Sequence, residues 1–297
     1  MDPTTGLTPE RVLRRLEWHV LRRLDGRLQG DYRTLLRGIG VDFLDLREYE
    51  PGDDMRHIDW NVTARMDTPY VRQYVEDREL TAWLLLDRSP SMGFGPVTRR
   101  KDAVLTELAG TLAALLVRGG NRVGAILYDN RVELTLPPRQ GRAQVLLLLR
   151  ELLREPTPSG TPTDLTGLLT TANGMLRHRS LVVLVSDFIS LPGWERPLTQ
   201  LARRHDVVAI ALAAPSESEL PEAGVIVIED AETGEQLLVD TSDVEFRLRM
   251  RDLAASYQDQ LDQVARRAGV DLHTLSTGED LVGALVRMSA TRARRHR

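Results

Sequence analysis

Asp87, Ser89 and Ser91 fall two residues apart within Trp83–Gly95, WLLLDRSPSMGFG, and offer one carboxylate and two hydroxyls. All three are oxygen donors, a ligand set that suits a hard cation such as Mg²⁺. Residues two apart in an extended loop point the same way, so both hydroxyls could converge on one point. The alternative for this stretch is a polar strand-to-helix loop in which Ser91 or Thr98 caps the next helix. Two further segments carry similar chemistry. Asp187 follows the apolar run LVVLVS as Asp87 follows LLL, and residues 159–164, SGTPTD, supply Thr161 and Thr163. Together these are two carboxylates and several neutral hydroxyls.

Such groups meet only if strands and helices alternate so that all three loops emerge at one sheet edge. Leu84, Leu85 and Leu86 read as a strand buried on both faces, because such a strand is apolar without alternation. Pro90, Gly93 and Gly95 then force a loop, and open α/β sheets gather ligand sites where strands end. From Leu80 onward the pattern predicts strands at 82–87, 122–128, 131–136, 180–186, 206–213 and 270–275. Helices are predicted at 98–117, 141–154, 164–178, 194–204, 243–268 and 279–290, and a hairpin over 224–240 turning at Thr233-Gly234. The expected fold class is α/β, a doubly wound, mostly parallel sheet over residues 80–290.

Residues 1–79 are expected to add a helix at 8–28, capped by Thr8 with Pro9 in its first turn, and an extended, strand-containing segment packed on the main domain. In that segment Asp53, Asp54 and Asp59 are interleaved with Arg47, Arg56, Arg65 and Arg72. Opposite charges so placed read as a structural clasp over Glu50–Arg65, although a metal site of Asp53, His57 and Asp59 is conceivable. Tyr49 and Trp60 read as packing anchors. Residues 291–297, TRARRHR, read as a frayed basic tail.

The three-loop pattern resembles the von Willebrand factor type A (vWA) domain with a metal-ion-dependent adhesion site (MIDAS). That family's Asp-x-Ser-x-Ser motif is matched by Asp87, Ser89 and Ser91. Its threonine loop is matched best by Thr163, with Thr161 as the alternative, since GTPTDL puts two extra residues between the glycine and the preferred threonine. Its aspartate after an apolar strand is matched by Asp187 in VSDF. A narrower resemblance runs through nearly the whole chain. REYEPGDDMRHIDWNVTAR, LLLDRSPSMGFG, Lys101 and GNRVGAILYDN are similar to the bacterial "domain of unknown function 58" family, whose members carry a vWA domain and are often encoded beside MoxR-type AAA+ ATPases.

This resemblance implies a Rossmann-like vWA fold and a Mg²⁺ (or Mn²⁺ or Ca²⁺) site made by Asp87, Ser89, Ser91, Thr163 and Asp187. It also implies an adaptor that engages a MoxR-type ATPase or its client in protein-complex maturation or remodelling. Mg²⁺ wants near-octahedral oxygen coordination and keeps waters. Neutral hydroxyls with two carboxylates would leave it under-neutralised, able to accept a partner's Glu or Asp.

Composition narrows the remaining classes. The chain has 297 residues, 42% hydrophobic and 28% charged, which describes an ordered globular protein. With no cysteine, disulfides, thiolate metal sites and a cysteine nucleophile are excluded. A formal net charge of −4 argues against nucleic-acid binding by phosphate neutralisation. No apolar run of about 18 residues and no signal-like N-terminus are present, so a cytoplasmic protein without membrane insertion is expected. Lys101 is the only lysine among 39 basic residues. The rival function is a Mg²⁺-dependent, aspartate-based phosphatase or phosphotransferase using Asp87. Its common Asp-x-Asp pattern is missing because residue 89 is serine, and no GxSxG elbow or Walker A run occurs. A binding module is therefore expected rather than an enzyme.

Overall fold

The structure, a computed structural model, describes residues 8–24, 45–50, 53, 55, 58, 60, 63, 68–73, 80–96, 99–155, 162–218, 221–230 and 233–295. Helix α1 (Pro9–Leu16) opens with Thr8 accepting the Arg11 N–H, and Pro9 occupies the first turn, where a missing N–H leaves no bond unmade. A π-helical turn, Glu17–Leu21, prolongs it, and Val12, Leu13, Leu16, Val20, Leu21 and Leu24 form the buried stripe. Strands β1 (Asp45–Glu48) and β2 (Tyr70–Gln73) then pair antiparallel.

Within the charged segment, the Asp53 carboxylate accepts the Glu50 N–H at 3.0 Å. Asp54, Arg56, His57, Asp59 and Arg65, the side chains of Arg47 and Arg72, and residues 25–28 of the expected helix lie outside the described residues. Trp60 is 69% exposed and so does not serve as a packing anchor. A single large apolar side chain is tolerated at the surface because its area alone is small.

The body of the chain follows in the order β3 (Thr81–Asp87), α2 (Lys101–Arg118), β4 (Arg122–Asp129), β5 (Arg131–Arg139), α3 (Arg142–Leu152), α4 (Leu165–Met175), β6 (Leu181–Ser186), α5 (Glu195–Arg204) and β7 (Asp206–Ala213). A single turn α6 (Pro215–Ser218), the hairpin β8 (Val225–Glu229) and β9 (Gln236–Asp240), α7 (Val244–Ala268), β10 (Asp271–Ser276) and α8 (Leu281–Arg295) complete it. Six strands form one sheet in the order β10-β7-β6-β3-β4-β5, parallel throughout except for β4 with β5. Asn130 turns that antiparallel pair at φ 49°, a conformation asparagine tolerates.

Alternation along β3 shows how the sheet is covered. Ala82, Leu84 and Leu86 face a core shared with α1, α2, α3 and α8, whereas Trp83 and Leu85 face one shared with α4, α5 and α7. Helices on both faces explain why the strand is apolar without a break. The chain is thus mixed α/β with a mostly parallel central sheet, as expected.

Several boundaries differ from expectation: β5 runs on to Arg139, α4 ends at Met175, and two further shifts change a reading. Helix α2 starts at Lys101 rather than near 98, with Arg100 at its N-cap and no side-chain cap, so Ser91 does not cap it; Thr98 lies outside the described residues. The expected frayed tail is corrected too, because α8 runs to Arg295 and Arg292 is 3% exposed. Its guanidinium pairs with Asp206 at the start of β7 and lies 3.9 Å from Asp271 of β10, which anchors the last turns to the sheet. Among the described residues no helix is long and apolar enough to cross a membrane.

Strand β3 leads through α2 to β4 on one side, while β6 pairs on its other side. Strand order therefore reverses between β3 and β6. Asp87 and Asp187 stand at the carboxyl ends of these two strands, where such sheets open a crevice.

Candidate metal centre

Asp87 closes β3 and is fully buried, at 0% exposed. Its Oδ1 accepts the Ser89 N–H at 2.9 Å, and its Oδ2 accepts the Ser186 hydroxyl at 2.5 Å. Pro90, with its fixed φ, starts a 3₁₀ turn over Pro90–Gly93. That turn, rather than the extended loop expected, brings Ser89 Oγ and Ser91 Oγ to 3.0 Å. Asp187 follows β6, and its Oδ1 accepts the Ile189 N–H at 3.0 Å. Between them Phe188 adopts φ 61°, a left-handed conformation that costs a bulky residue energy. Its ring is buried against Trp194 at 5.4 Å, and its N–H donates to Ser186 Oγ at 2.8 Å, contacts that hold the turn.

The threonine loop is pinned to the same edge from two sides. Tyr128, opposite Asp87 in the β3–β4 register, donates its hydroxyl to the Asp164 carbonyl at 2.7 Å. Leu191, beyond Asp187, donates its N–H to the Thr163 carbonyl at 2.8 Å. Thr163 is buried at 1% exposed. Gly167 permits this arrangement, since a Cβ there would lie 2.3 Å from the Tyr128 hydroxyl oxygen. Asp87, Ser89, Ser91, Thr163 and Asp187 thus share one sheet edge, while Thr161 lies outside the described residues.

Burial, and after it the charge of Asp187, pushes the Asp87 carboxyl up to about 7; the bonds from Ser186 and Ser89 offset this in part. Tyr128 is pushed up to about 12, first by burial and then by Asp164 and Asp87, which keeps it a neutral donor. Two buried carboxylates, Asp187 already holding a lysine ammonium, stand near hydroxyl oxygens, a donor set whose chemistry fits a hard divalent cation. Among the described residues no three or more His, Cys, Asp or Glu side chains converge, so a cation here would rest on mixed carboxylate and hydroxyl ligands.

Three further residues belong to this centre that the motif did not mark. Ser186 bridges Asp87 to the Phe188 backbone. Lys101, 0% exposed, donates from Nζ to Asp187 Oδ2 and to Glu217 Oε1, each at 2.6 Å. Glu217 in turn accepts the Ala214 N–H at 2.7 Å on its other oxygen. Lys101 carried a signal, as the only lysine in an arginine-rich chain. Glu217 carried none, because it sits on a one-turn helix far along the sequence.

The sequence profile of the family described as "Protein of unknown function DUF58" matches residues 45–260. Over 286 residues the chain is 36% identical to the "Uncharacterized protein Rv1480" of Mycobacterium tuberculosis, covering 95% of this chain and 89% of that protein. The same figures hold for the "Uncharacterized protein Mb1516" of Mycobacterium bovis. Among solved structures, the conserved hypothetical protein BatB from Bacteroides thetaiotaomicron is similar at a TM-score of 0.46 and 14% identity, over 72% of this chain and 99% of that one. With the profile covering most of the chain and these relatives aligned over nearly all of it, the chain belongs to the DUF58 family.

Proposed function

We propose that the chain is a metal-dependent protein-interaction module, an adaptor for a MoxR-type AAA+ ATPase in the maturation or remodelling of protein complexes. The observation that carries this is the buried cluster at the β3–β6 switch, where two carboxylates end neighbouring strands and two serine hydroxyls converge. Asp87, Ser89, Ser91, Thr163 and Asp187 would hold Mg²⁺, in part through water. The ion would supply residual positive charge and an open coordination position, which a partner's Glu or Asp can fill.

Exposed apolar side chains support a docking role. Phe94 is 40% exposed, Ile189 46% and Leu191 49%, on the loops that follow β3 and β6. Protein contacts are built on an apolar core with a polar rim, and these side chains supply apolar area for one. As a phosphatase nucleophile Asp87 is poorly placed, being buried with both oxygens hydrogen-bonded and held toward its protonated form. The choice of ATPase rests on the resemblance to a family often encoded beside MoxR-type enzymes.

Association of the purified chain with the MoxR-type ATPase of its own genome tests this. Binding should need Mg²⁺, vanish with EDTA, and fail in Ser89→Ala/Ser91→Ala while circular dichroism stays unchanged. Binding indifferent to both refutes metal-bridged docking. Turnover of a phosphate ester that Asp87→Asn abolishes would favour the phosphatase instead.

A further inference from the structure

We propose that Lys101 is the resident cation of this centre: its ammonium holds Asp187 while no divalent ion is bound and shifts its pairing to Glu217 when one is. This inference rests on the metal-binding function proposed above and adds a regulator to it. The geometry is specific. Lys101 begins α2, its backbone N–H is fixed to the Phe94 carbonyl at 3.1 Å, and its side chain is wholly enclosed. Its Nζ lies 2.6 Å from a carboxylate oxygen on each side. The Asp187 end is closed, with 2% of its side chain exposed, whereas the Glu217 side chain is 27% exposed.

An ammonium buried without a partner is very costly, so a lysine here must always keep one carboxylate. Two acceptors at equal distance let it give up one without becoming unpaired. A divalent ion on Asp187 would place like charges close together in a medium that screens them poorly. The ammonium then has a lower-energy place ready at Glu217, and no rearrangement of α2 is needed to reach it. Burial alone would lower the lysine pKa, but the charges of Asp187 and Glu217 and the hydrogen bonds to them outweigh it and raise it. Lys101 competes with the divalent ion as a fixed charge. The site would bind its ion more weakly than its carboxylates alone allow, leaving more of the binding energy to depend on a partner's acid.

The only lysine of the chain makes the test direct, because lysine labelled with ¹³C and ¹⁵N gives a single side-chain signal set. Two measurements are made: that signal in the wild-type chain during Mg²⁺ titration, and Mg²⁺ affinity by calorimetry for wild type and Lys101→Met. Saturation with Mg²⁺ should move the Lys101 ε and ζ signals, and Lys101→Met should bind Mg²⁺ about tenfold more tightly or better. Mg²⁺ binding to wild type without movement of the lysine signal overturns the proposal, as does equal affinity in a folded Lys101→Met. Uptake by Lys101→Met alone also overturns it, because the shift to Glu217 requires an ion bound to the wild-type chain. The wild-type signal decides the matter if that variant fails to fold. If neither protein takes up Mg²⁺, the metal-binding function itself fails and this inference falls with it, an outcome distinct from the preceding three.

Discussion

At the scale of single residues, the centre is defined by groups that would be costly to bury alone and are therefore held by named partners. Ser186 shows this most simply. Its hydroxyl donates to Asp87 and accepts from Phe188 N–H, so Ser186→Ala strands two buried groups at once. Loss of about 1–3 kcal/mol of unfolding free energy is expected in denaturant titration; an unchanged midpoint would contradict the geometry. His205 gives a second case, away from the crevice. It is 4% exposed, and neither ring nitrogen has a hydrogen-bond partner. Burial first, then Arg204 and to a lesser degree Arg179, holds its pKa below the usual value; a backbone contact to His178 opposes this but is too poorly placed to count as a hydrogen bond. The unfolded histidine gains its proton near pH 6.5 and the folded one only lower down. Its stabilising effect is thus complete above that pH and is lost as pH falls through the folded pKa. Over pH 7 to 5, where Asp87 adds stability as it takes up its proton, the melting temperature of the wild type should drop relative to that of His205→Leu. Parallel curves would exclude His205 as the source.

At the scale of elements, the loops owe their positions to packing. Gly167→Ala in α4 would drive a methyl group against the Tyr128 hydroxyl, which ties the Thr163 loop to β4. Overpacking of this kind costs about 1–3 kcal/mol, and Tyr128→Phe in the same background should recover part of it; no recovery would mean that the contact does not position the loop. Helix α8 is fixed by Arg292. Removing it as Arg292→Ala should destabilise by about 3 kcal/mol or more by leaving Asp206 partly buried and unpaired. A change within a few tenths would mean that the last turns are free. The basic composition of 291–297 hid this anchor, since the partners Asp206 and Asp271 are contributed by two strands about 20 to 85 residues earlier. In the same way the spacing of Asp87, Ser89 and Ser91 was legible, but the 3₁₀ turn that joins the two hydroxyls was not, because it depends on how Pro90 starts the turn.

At the scale of the whole molecule, the doubly wound sheet was legible because its strands are covered on both faces. Leu84–Leu86 and Leu181–Val185 are apolar without interruption, and no other packing accounts for that so simply. From the sheet followed the meeting of Asp87 and Asp187, since both end central strands. The Lys101–Glu217 bridge was beyond reach because it joins residues 116 apart with no spacing rule between them. The proposed function depends on this edge of the sheet binding a divalent cation. Calorimetric titration of the wild-type chain with Mg²⁺ or Mn²⁺ tests it most directly, beside Asp87→Ala shown by circular dichroism to be folded. One site in the wild type and none in the variant is the predicted result; equal uptake by both, or uptake by neither, would contradict it.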